Sequence, residues 1–408
     1  MNKIELLAPA GNMECLKTAF HFGADAAYMS GKNYGLRAFA NNFSEDELQE
    51  AVLYAHALNK KIYVTVNSVL FNNDIPPLKE YLLYLANIGA DAVIVSDPAV
   101  LYTIKEYQID IPVHLSTQAN TTNYLAVKFW ESQGVHRVVM SREVTLEDIS
   151  YICKNTDVEI EAFIHGSMCV AHSGRCLLSS TLTHRSSNKG ACSQPCRWEY
   201  YLSEKGYDGQ YFNIMEDNKG TYIMNSRDLM MIEYVPQLIE AGIKSFKVEG
   251  RMKSPYYVAS VINAYRNAID SYYKNGDAYV FDTRLKDELI KSATRGFCEG
   301  FFFGNPMEKG QDTKRDIDLR RYTFAAIVIG CENDGTITVE QRNKFCVGDT
   351  LEVLSPSIIN AEFVVKEICN VKNNEMQDCA PHPQQIIRIN CPFSLAEGDI
   401  LRRHDERG

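Results

Sequence analysis

The stretch SFKVEG, residues Ser245–Gly250, decides the fold of the longer, N-terminal part of this 408-residue chain. Upstream of it, short apolar segments alternate with amphipathic helical patterns, an order typical of a parallel sheet covered by helices. Seven of these segments are predicted as strands: Ile4–Pro9, Ala26–Gly31, Ile62–Asn67, Ala92–Asp97, Pro112–Gln118, Arg137–Arg142 and Glu159–Gly166. Because Ser245–Gly250 supplies an eighth strand, the sequence predicts a closed (β/α)8 barrel of the TIM type, with an open doubly wound sheet as the alternative.

Helical patterns fill the segments between these strands. They are predicted at Asn12–Phe22, Ser44–Leu58, Leu78–Ile88, Tyr124–Gly134, Leu146–Lys154, Leu229–Ala241 and Tyr256–Lys274, and from Pro98 onwards. Between the seventh and eighth units, Glu199–Ser203 and Tyr211–Met215 alternate around a glycine-containing turn. This pattern predicts a β-hairpin that is inserted into the barrel and covers its site.

A second domain is predicted after the barrel. Residues 1–304 form the predicted barrel domain, and the polar segment 305–321 lacks apolar periodicity, so it is predicted to be a flexible linker. Residues 322–408 contain short alternating strands without helical patterns, which predicts a small closed β-barrel. Its strands are predicted at Phe324–Ile329, Thr336–Gln341, Leu351–Leu354, Glu362–Ile368, Ile386–Asn390 and Ile400–Arg402.

Four cysteines follow the seventh predicted strand within one loop, and no acidic residue lies between Ala162 and Trp198. Clustered thiolates repel one another unless they bind a cation, and four of them suit zinc or an iron-sulfur cluster. Structural zinc sites usually offer two close pairs, whereas here only the last two cysteines are close, so the spacing favours iron. The alternative is four buried or disulfide-bonded residues. The candidate ligands are Cys169, Cys176, Cys192 and Cys196.

Polar side chains gather where the predicted strands end, and in such a barrel all of these ends lie at one mouth. The predicted catalytic residues are Arg142, Glu143, His165, Lys247, Glu249 and Arg251. The predicted substrate-binding residues are Asn67, Asp97, Ser116 and Gln118. Taken singly, each is more easily explained as a helix cap, turn or structural ion pair, as for Asp97 before Pro98. Their convergence at the mouth is what predicts a site.

Composition narrows the classes of protein that fit this chain. A formal net charge of −10 argues against non-specific coating of nucleic acid, although it leaves room for a local basic site. No stretch approaches eighteen apolar residues and the start lacks a signal-peptide pattern, so we expect a cytoplasmic protein without membrane contact. Twelve cysteines are too few for a disulfide scaffold, and most are expected to remain thiols.

A local basic site is suggested by the segment Ala26–Ser44, which contains cations and aromatic rings but no acid. Lys32 and Arg37 lie there among four aromatic residues, Tyr28, Tyr34, Phe39 and Phe43. An RNA loop would need such cations and such faces for its unstacked bases, so Arg37 is predicted to bind substrate. Aromatic residues of the core beside solvated cations would give the same pattern.

One run of residues resembles the defining motif of the collagenase-like peptidases of family U32. The matching residues are Glu161, Phe163, Gly166, Ser167, Met168, Cys169, Gly174, Cys176, Leu178 and Ser179. The segments ELLAPAG, VTVN, HLSTQ and KVEGRMKSPYYV are also similar to this family, so the resemblance covers the whole first domain. The tail is similar to the family's own C-terminal β-domain.

This resemblance implies an activity other than proteolysis. Members that are understood are mostly oxygen-independent hydroxylation factors, which carry a 4Fe-4S cluster on four cysteines and modify tRNA, ribosomal RNA or ubiquinone precursors. The resemblance therefore assigns the cluster to the four cysteines of the loop. Chain length and the single tail domain look most like the branch that hydroxylates the wobble uridine in the tRNA anticodon loop with prephenate. A mouth with Arg142, Lys247 and Arg251 would suit that small dicarboxylate.

Alternatives from other classes remain open at the level of sequence. A peptidase is one, but neither an HExxH helix nor a GxSxG turn occurs, and a Cys169 nucleophile paired with His165 or His172 would leave three cysteines without a role. Hydroxylation of ribosomal RNA or of a ubiquinone precursor is a second alternative. A binding protein without turnover is a third, and the oligomeric state is not predicted.

Overall fold

In the computed structural model, residues 3–36, 42–168, 225–306, 310–312, 322–332, 335–356 and 358–404 are described, together with short pieces between residues 178 and 213. Eight parallel strands form a closed barrel, as the sequence predicts. Its strands are β1 (Glu5–Pro9), β2 (Ala26–Met29), β3 (Lys61–Val66), β4 (Ala92–Val95), β5 (Val113–Leu115), β6 (Arg137–Val139), β7 (Glu159–Gly166) and β8 (Ser245–Val248). Neighbours pair in chain order, and β8 pairs in parallel with both β1 and β7, which closes the cylinder.

The described residues form ten α-helices, and most of these surround the barrel with their apolar sides buried. They are α1 (Met13–His21), α2 (Glu45–Ala57), α3 (Leu78–Asn87), α4 (Pro98–Glu106), α5 (Tyr124–Ser132), α6 (Leu146–Asn155), α7 (Leu178–Thr183), α8 (Val235–Glu240), α9 (Pro255–Asn275) and α10 (Thr283–Lys291). The local sequence explains where several of these helices begin. Ser44 and Glu47 form a capping box before α2, and Asp97 caps α4, whose first residue is Pro98.

The predicted helix Leu229–Ala241 is wrong over its first half. Asp228–Met230 is a strand that pairs antiparallel with the end of β7, and only α8 at Val235–Glu240 is α-helical. Pro236 explains the late start, because a residue without a backbone N–H fits only the first turn of a helix. The apolar residues of the strand and of the helix run together in sequence, which hides the boundary between them.

The inserted hairpin is confirmed where the structure describes it. Tyr201–Leu202 pairs antiparallel with Phe212–Asn213. Further along, Asn225–Ser226 pairs antiparallel with Gln311–Asp312, so a part of the predicted linker forms a short strand against the barrel domain. Among the described residues, no helix is both long and apolar enough to span a membrane.

The tail is an antiparallel all-β unit. Its main strands are β9 (Tyr322–Cys331), β10 (Thr336–Gln341), β11 (Thr350–Ser355), β12 (Ile358–Val364), β13 (Ile368–Asn370), β14 (Glu375–Gln377), β15 (Ile386–Asn390) and β16 (Ile400–His404). They pair in the order β12-β11-β16-β9-β10-β15-β13-β14. Two further strands, Phe345–Cys346 and Cys379–Ala380, pair antiparallel, and a disulfide joins Cys346 to Cys379. The sequence did not predict this disulfide.

The tail packs directly on the barrel. Leu354 and Ile400 of the tail belong to the same buried apolar cluster as the barrel residues. Arg402 is fully buried and binds Glu288 of α10 through both guanidinium ends, at 2.5 and 2.6 Å. The two units are therefore held in one arrangement by a shared core and a buried ion pair.

Candidate functional site

The candidate site lies at the mouth, the barrel end at which β1–β8 finish. Arg142 follows β6 and Glu249 follows β8, and these strands are separated only by β7. The Arg142 Nη2 atom lies 3.5 Å from Glu249 Oε2, and the guanidinium lies 4.0 Å above the ring of Phe163 on β7. Both charged side chains are mostly buried, with 15% and 12% of their surface exposed. The predicted convergence is thus observed for this pair.

Arg251 joins the opposite side of the mouth. It is 5% exposed, and its Nη1 donates a hydrogen bond of 3.3 Å to Oγ1 of Thr65 at the end of β3. The loop after β1 touches its backbone, because a Cβ on Gly11 would lie 2.2 Å from the Arg251 carbonyl oxygen. Gly35 is constrained likewise, since its Cβ would meet Ser30 Oγ at 1.6 Å. Glycines let these loops close around Arg251.

The predicted substrate-binding residues divide into two kinds. Asn67 lies at the mouth, where its Nδ2 donates to Ser116 Oγ at 3.4 Å. Asp97 instead accepts backbone N–H bonds from Ala99 at 3.0 Å and from Leu70 at 3.1 Å, so its position is explained by capping α4 and fixing the loop after β3. Ser116 also caps the short turn that follows β5.

Gln118 and Glu143 are half-buried in the loops that follow β5 and β6. The backbone carbonyl of Gln118 accepts a hydrogen bond of 3.1 Å from the side chain of Asn120. The structure thus places both residues on the mouth side of the barrel, as the sequence predicts, and their roles stay predictions.

Lys247 lies deeper in the barrel. Its Nζ donates to Glu161 Oε1 at 2.8 Å and lies 4.5 Å from the centre of the Tyr28 ring. Glu161 is fully buried and also accepts from Arg137 Nη1 at 3.1 Å. Burial opposes ionisation of Glu161, but Lys247 and Arg137 outweigh it and lower its pKa to about 2. Lys247 therefore pairs with a carboxylate beneath the mouth.

Arg137 and His114 extend this buried network toward the other end of the barrel. Arg137 binds Glu5 at 2.5 Å and Glu159 at 2.7 Å. Burial, together with Arg137, lowers the pKa of His114 well below its ordinary value. Sequence reasoning assigned Lys247 of this network to the site but not Glu161, Arg137 or His114. The signal for the network was present, because acidic residues at alternate positions of a buried strand, as at Glu159 and Glu161, need cationic partners.

His165 does not share the setting of the other predicted residues. The pairing of β7 with β8 shifts register beside it, and such a bulge re-aims side chains. Its ring packs among Tyr257, Tyr265 and Phe297, with centroids 5.4 to 6.0 Å away. Burial, with Lys253 nearby, lowers the His165 pKa to about 3, so the ring is neutral at pH 7. The ring therefore contacts α9 and Phe297, and the catalytic role of His165 stays a prediction.

The predicted cluster ligands are described only in part. Cys169, Cys176 and Cys196 lie outside the described residues, as does Arg37. Cys192 is exposed, and the neighbouring Ser193 is tied to α7 by hydrogen bonds to Ser179 at 3.1 Å and Thr183 at 2.9 Å. Within the part of the chain that the structure describes, no group of three or more potential ligands is placed to hold a metal ion.

The mouth has the chemistry of an anion site. Arg142 and Arg251 approach it from the ends of β6 and β8, and a partly desolvated guanidinium binds carboxylates in a bidentate manner. Glu249 adds one carboxylate beside Arg142. Beneath them, the Lys247–Glu161 pair and the Tyr28 ring close the floor. This arrangement of guanidinium groups is chemically suited to the carboxylate groups of a small molecule.

Comparison with known proteins gives two consecutive family matches. The family model of Peptidase family U32 matches residues 11–312, and that of the Peptidase family U32 C-terminal domain matches residues 320–402. The first spans the barrel with its inserted loop, and the second spans nearly all of the tail.

Similar proteins carry names of two kinds. The tRNA hydroxylation protein P1 of Bacillus subtilis is 39% identical over 98% of this chain and 95% of its own length. The tRNA hydroxylation protein P of Escherichia coli is 37% identical over 92% of this chain and 91% of its own. An uncharacterized protease of Methanocaldococcus jannaschii is 39% identical over 98% of both chains.

Proposed function

This chain belongs to peptidase family U32, and from that premise we propose that it is an enzyme that hydroxylates tRNA at the wobble uridine. Two relatives named for tRNA hydroxylation resemble it along almost the whole chain, including the tail. Hydroxylation at C5 replaces a C–H bond of the base by a C–OH bond. We propose prephenate as the donor of the hydroxyl group: its C–OH bond breaks and is replaced by a C–H bond, so the donor is reduced by two electrons while C5 of the uridine is oxidised by two.

The observation that carries the proposal is the pair of arginines at the mouth. A dicarboxylate presents two anionic groups, and Arg142 and Arg251 come from the ends of different strands, so each can bind one of them. Glu249 lies 3.5 Å from Arg142 and holds that guanidinium over Phe163. A ligand carboxylate would thus meet a guanidinium that is already oriented, which reduces the ordering cost of binding.

We also propose that a 4Fe-4S cluster binds at Cys169, Cys176, Cys192 and Cys196. Four thiolates in an acid-free, basic loop are a suitable donor set, because the surrounding cations offset the negative charge of a thiolate-bound cluster. When bound, the cluster would supply one-electron chemistry. The loop leaves β7 at the mouth, next to Glu249, since a Cβ on Gly166 would lie 2.4 Å from the Glu249 carbonyl oxygen.

The test is mass spectrometry of total tRNA nucleosides from a strain that lacks the gene. Deletion should remove 5-hydroxyuridine and its derivatives, and the wild-type gene should restore them. Arg251→Ala should restore far less, because a donor carboxylate would then lie unpaired in a partly desolvated site. Lys286→Ala, on the surface of α10, is the matched control and should restore the full level.

Two alternatives make different predictions in the same strain. If the gene encodes a peptidase, its deletion should leave tRNA unchanged and a protein substrate uncleaved. If it encodes a ubiquinone hydroxylation factor, its deletion should leave tRNA unchanged and alter the quinone pool. Wobble hydroxylation that persists in the deletion strain, with no second copy of the gene, would refute the proposed substrate.

A further inference from the structure

A cavity lies beside the mouth. A cleft of about 710 Å³ opens between the loop after β2 and the starts of α2 and α3. The loop residues 34–36 separate it from the mouth: the Leu36 N–H donates to Asn67 at 3.4 Å, and the Ser68 N–H donates to the Tyr34 carbonyl at 3.0 Å. The cleft and the mouth are therefore two compartments with one shared wall.

Three tyrosines form one side of the cleft. The ring centroids of Tyr34 and Tyr81 are 5.2 Å apart, and those of Tyr81 and Tyr84 are 6.4 Å apart at 25° between planes. Tyr34 has φ of +59°, a left-handed conformation that is uncommon for a bulky residue and costs free energy. Its hydroxyl donates to the Asp74 carbonyl at 2.9 Å, which fixes the ring at the edge of the cleft.

Tyr81 carries a buried polar atom that the described protein leaves unsatisfied. The residue is 7% exposed, lines the cleft, and its hydroxyl has no hydrogen-bond partner among the described residues. A Cβ on Gly31 would lie 2.3 Å from this oxygen, so only glycine leaves room for it. Tyr84 differs, because its hydroxyl donates to the Glu45 carbonyl. A buried hydroxyl without a partner is costly, and a ligand in the cleft would remove that cost.

The charged residues around the cleft indicate which chemical groups a ligand would carry. Lys32 is exposed at the rim, next to the tyrosines. Glu45 and Glu80 lie in the first turns of α2 and α3, where the helix N-termini offset part of their negative charge. The cleft thus offers aromatic faces, a hydroxyl, carboxylate acceptors for N–H groups, and one cation at the edge.

We propose that this cleft binds an unstacked nucleobase of the RNA substrate while the mouth holds the target base. This inference rests on the proposed function. The base stacks against the tyrosines, one of its polar edge atoms pairs with the Tyr81 hydroxyl, and Lys32 binds the adjoining phosphate. A ring with exocyclic N–H groups also suits the carboxylates of the cleft. The cleft therefore binds a nucleotide of the anticodon loop other than the one that is modified.

The test measures binding of a synthetic anticodon stem-loop to the full-length, anaerobically prepared protein by fluorescence anisotropy. Tyr81→Phe removes only the hydroxyl and should raise Kd about three- to tenfold while the melting temperature stays the same or rises. Tyr34→Asn tolerates the positive φ but lacks the ring, and should raise Kd at least about fivefold. Tyr151→Phe, an exposed tyrosine of α6, is the control and should bind like the wild type.

Stem-loops that lack one base at a time identify the nucleotide in the cleft. For the stem-loop that lacks the bound base, wild type and Tyr34→Asn should bind equally, whereas all other stem-loops should keep the difference. If the wild type binds the stem-loop and supports wobble hydroxylation but both variants bind as tightly, the inference is overturned and the proposed function stands. If the wild type binds no stem-loop and supports no hydroxylation, both fail.

Discussion

Arg402 is the side chain whose loss should most weaken the attachment of the tail to the barrel. It is fully buried and binds Glu288 of α10 at 2.5 and 2.6 Å and Glu352 of β11 at 2.5 Å. Arg402→Met keeps the apolar stem and removes the charge, which leaves two buried carboxylates with Lys291 as their remaining cation. Breaking a buried pair costs about 3 to 5 kcal/mol. Because Lys291 stays, we expect the lower value, about 3 kcal/mol.

The pH dependence of this loss has a definite sign. Burial raises the pKa of Glu352, but Arg402 and Lys291 outweigh burial and lower it below its ordinary value of 4.5. In the wild type, this pairing stabilises the fold above pH 4.5 and is lost as pH falls through the lowered pKa. In Arg402→Met the pKa of Glu352 should rise, so that protonation relieves the unpaired charge. The variant should therefore be most destabilised near pH 7 and less so near pH 5.

Urea unfolding followed by circular dichroism at pH 7 and pH 5 measures both effects. Lys286→Met is the matched control, because its pair with Glu233 is exposed and should contribute less than about 1 kcal/mol. The reasoning would be refuted if Arg402→Met were as stable as the control at pH 7, or if its destabilisation grew on acidification.

Three further predictions concern the barrel and its loop. Glu161→Gln should cost about 3 to 5 kcal/mol in urea unfolding, because Lys247 and Arg137 lose their shared carboxylate; equal stability would contradict the buried network. His165→Phe should keep tRNA hydroxylation in the complementation assay. Between pH 6.5 and pH 3 the variant should also lose less stability than the wild type, because in the wild type the unfolded chain binds a proton at His165 and the folded chain, with its lowered pKa, does not. Loss of hydroxylation in a folded variant would support the predicted catalytic role. Anaerobically purified protein should hold about four irons per chain, and Cys176→Ala should lose them; stoichiometric zinc without iron would refute the cluster.

Sequence alone determined the barrel and much of its mouth. Continuous apolar strands alternating with capped helices admit few arrangements, and the eighth strand at Ser245–Val248 selected the closed one. Strand ends in such a barrel share one mouth, so Arg142, Glu249 and Arg251 could be brought together before any coordinate was known. The cysteine spacing likewise predicted a metal-sulfur site, and that site stays a prediction.

Tertiary structure alone decided where each of these side chains points. A register shift between β7 and β8 turned His165 toward α9, although the period of two would have kept it with Phe163. The partner of Lys247 is 86 residues away in sequence, and Arg402 binds a glutamate 114 residues away. The sequence cannot identify partners that are so far apart along the chain, because a local pattern predicts which face of a strand or helix a residue occupies and not which charged residue it contacts there. Only the packed fold brings those partners together and buries them.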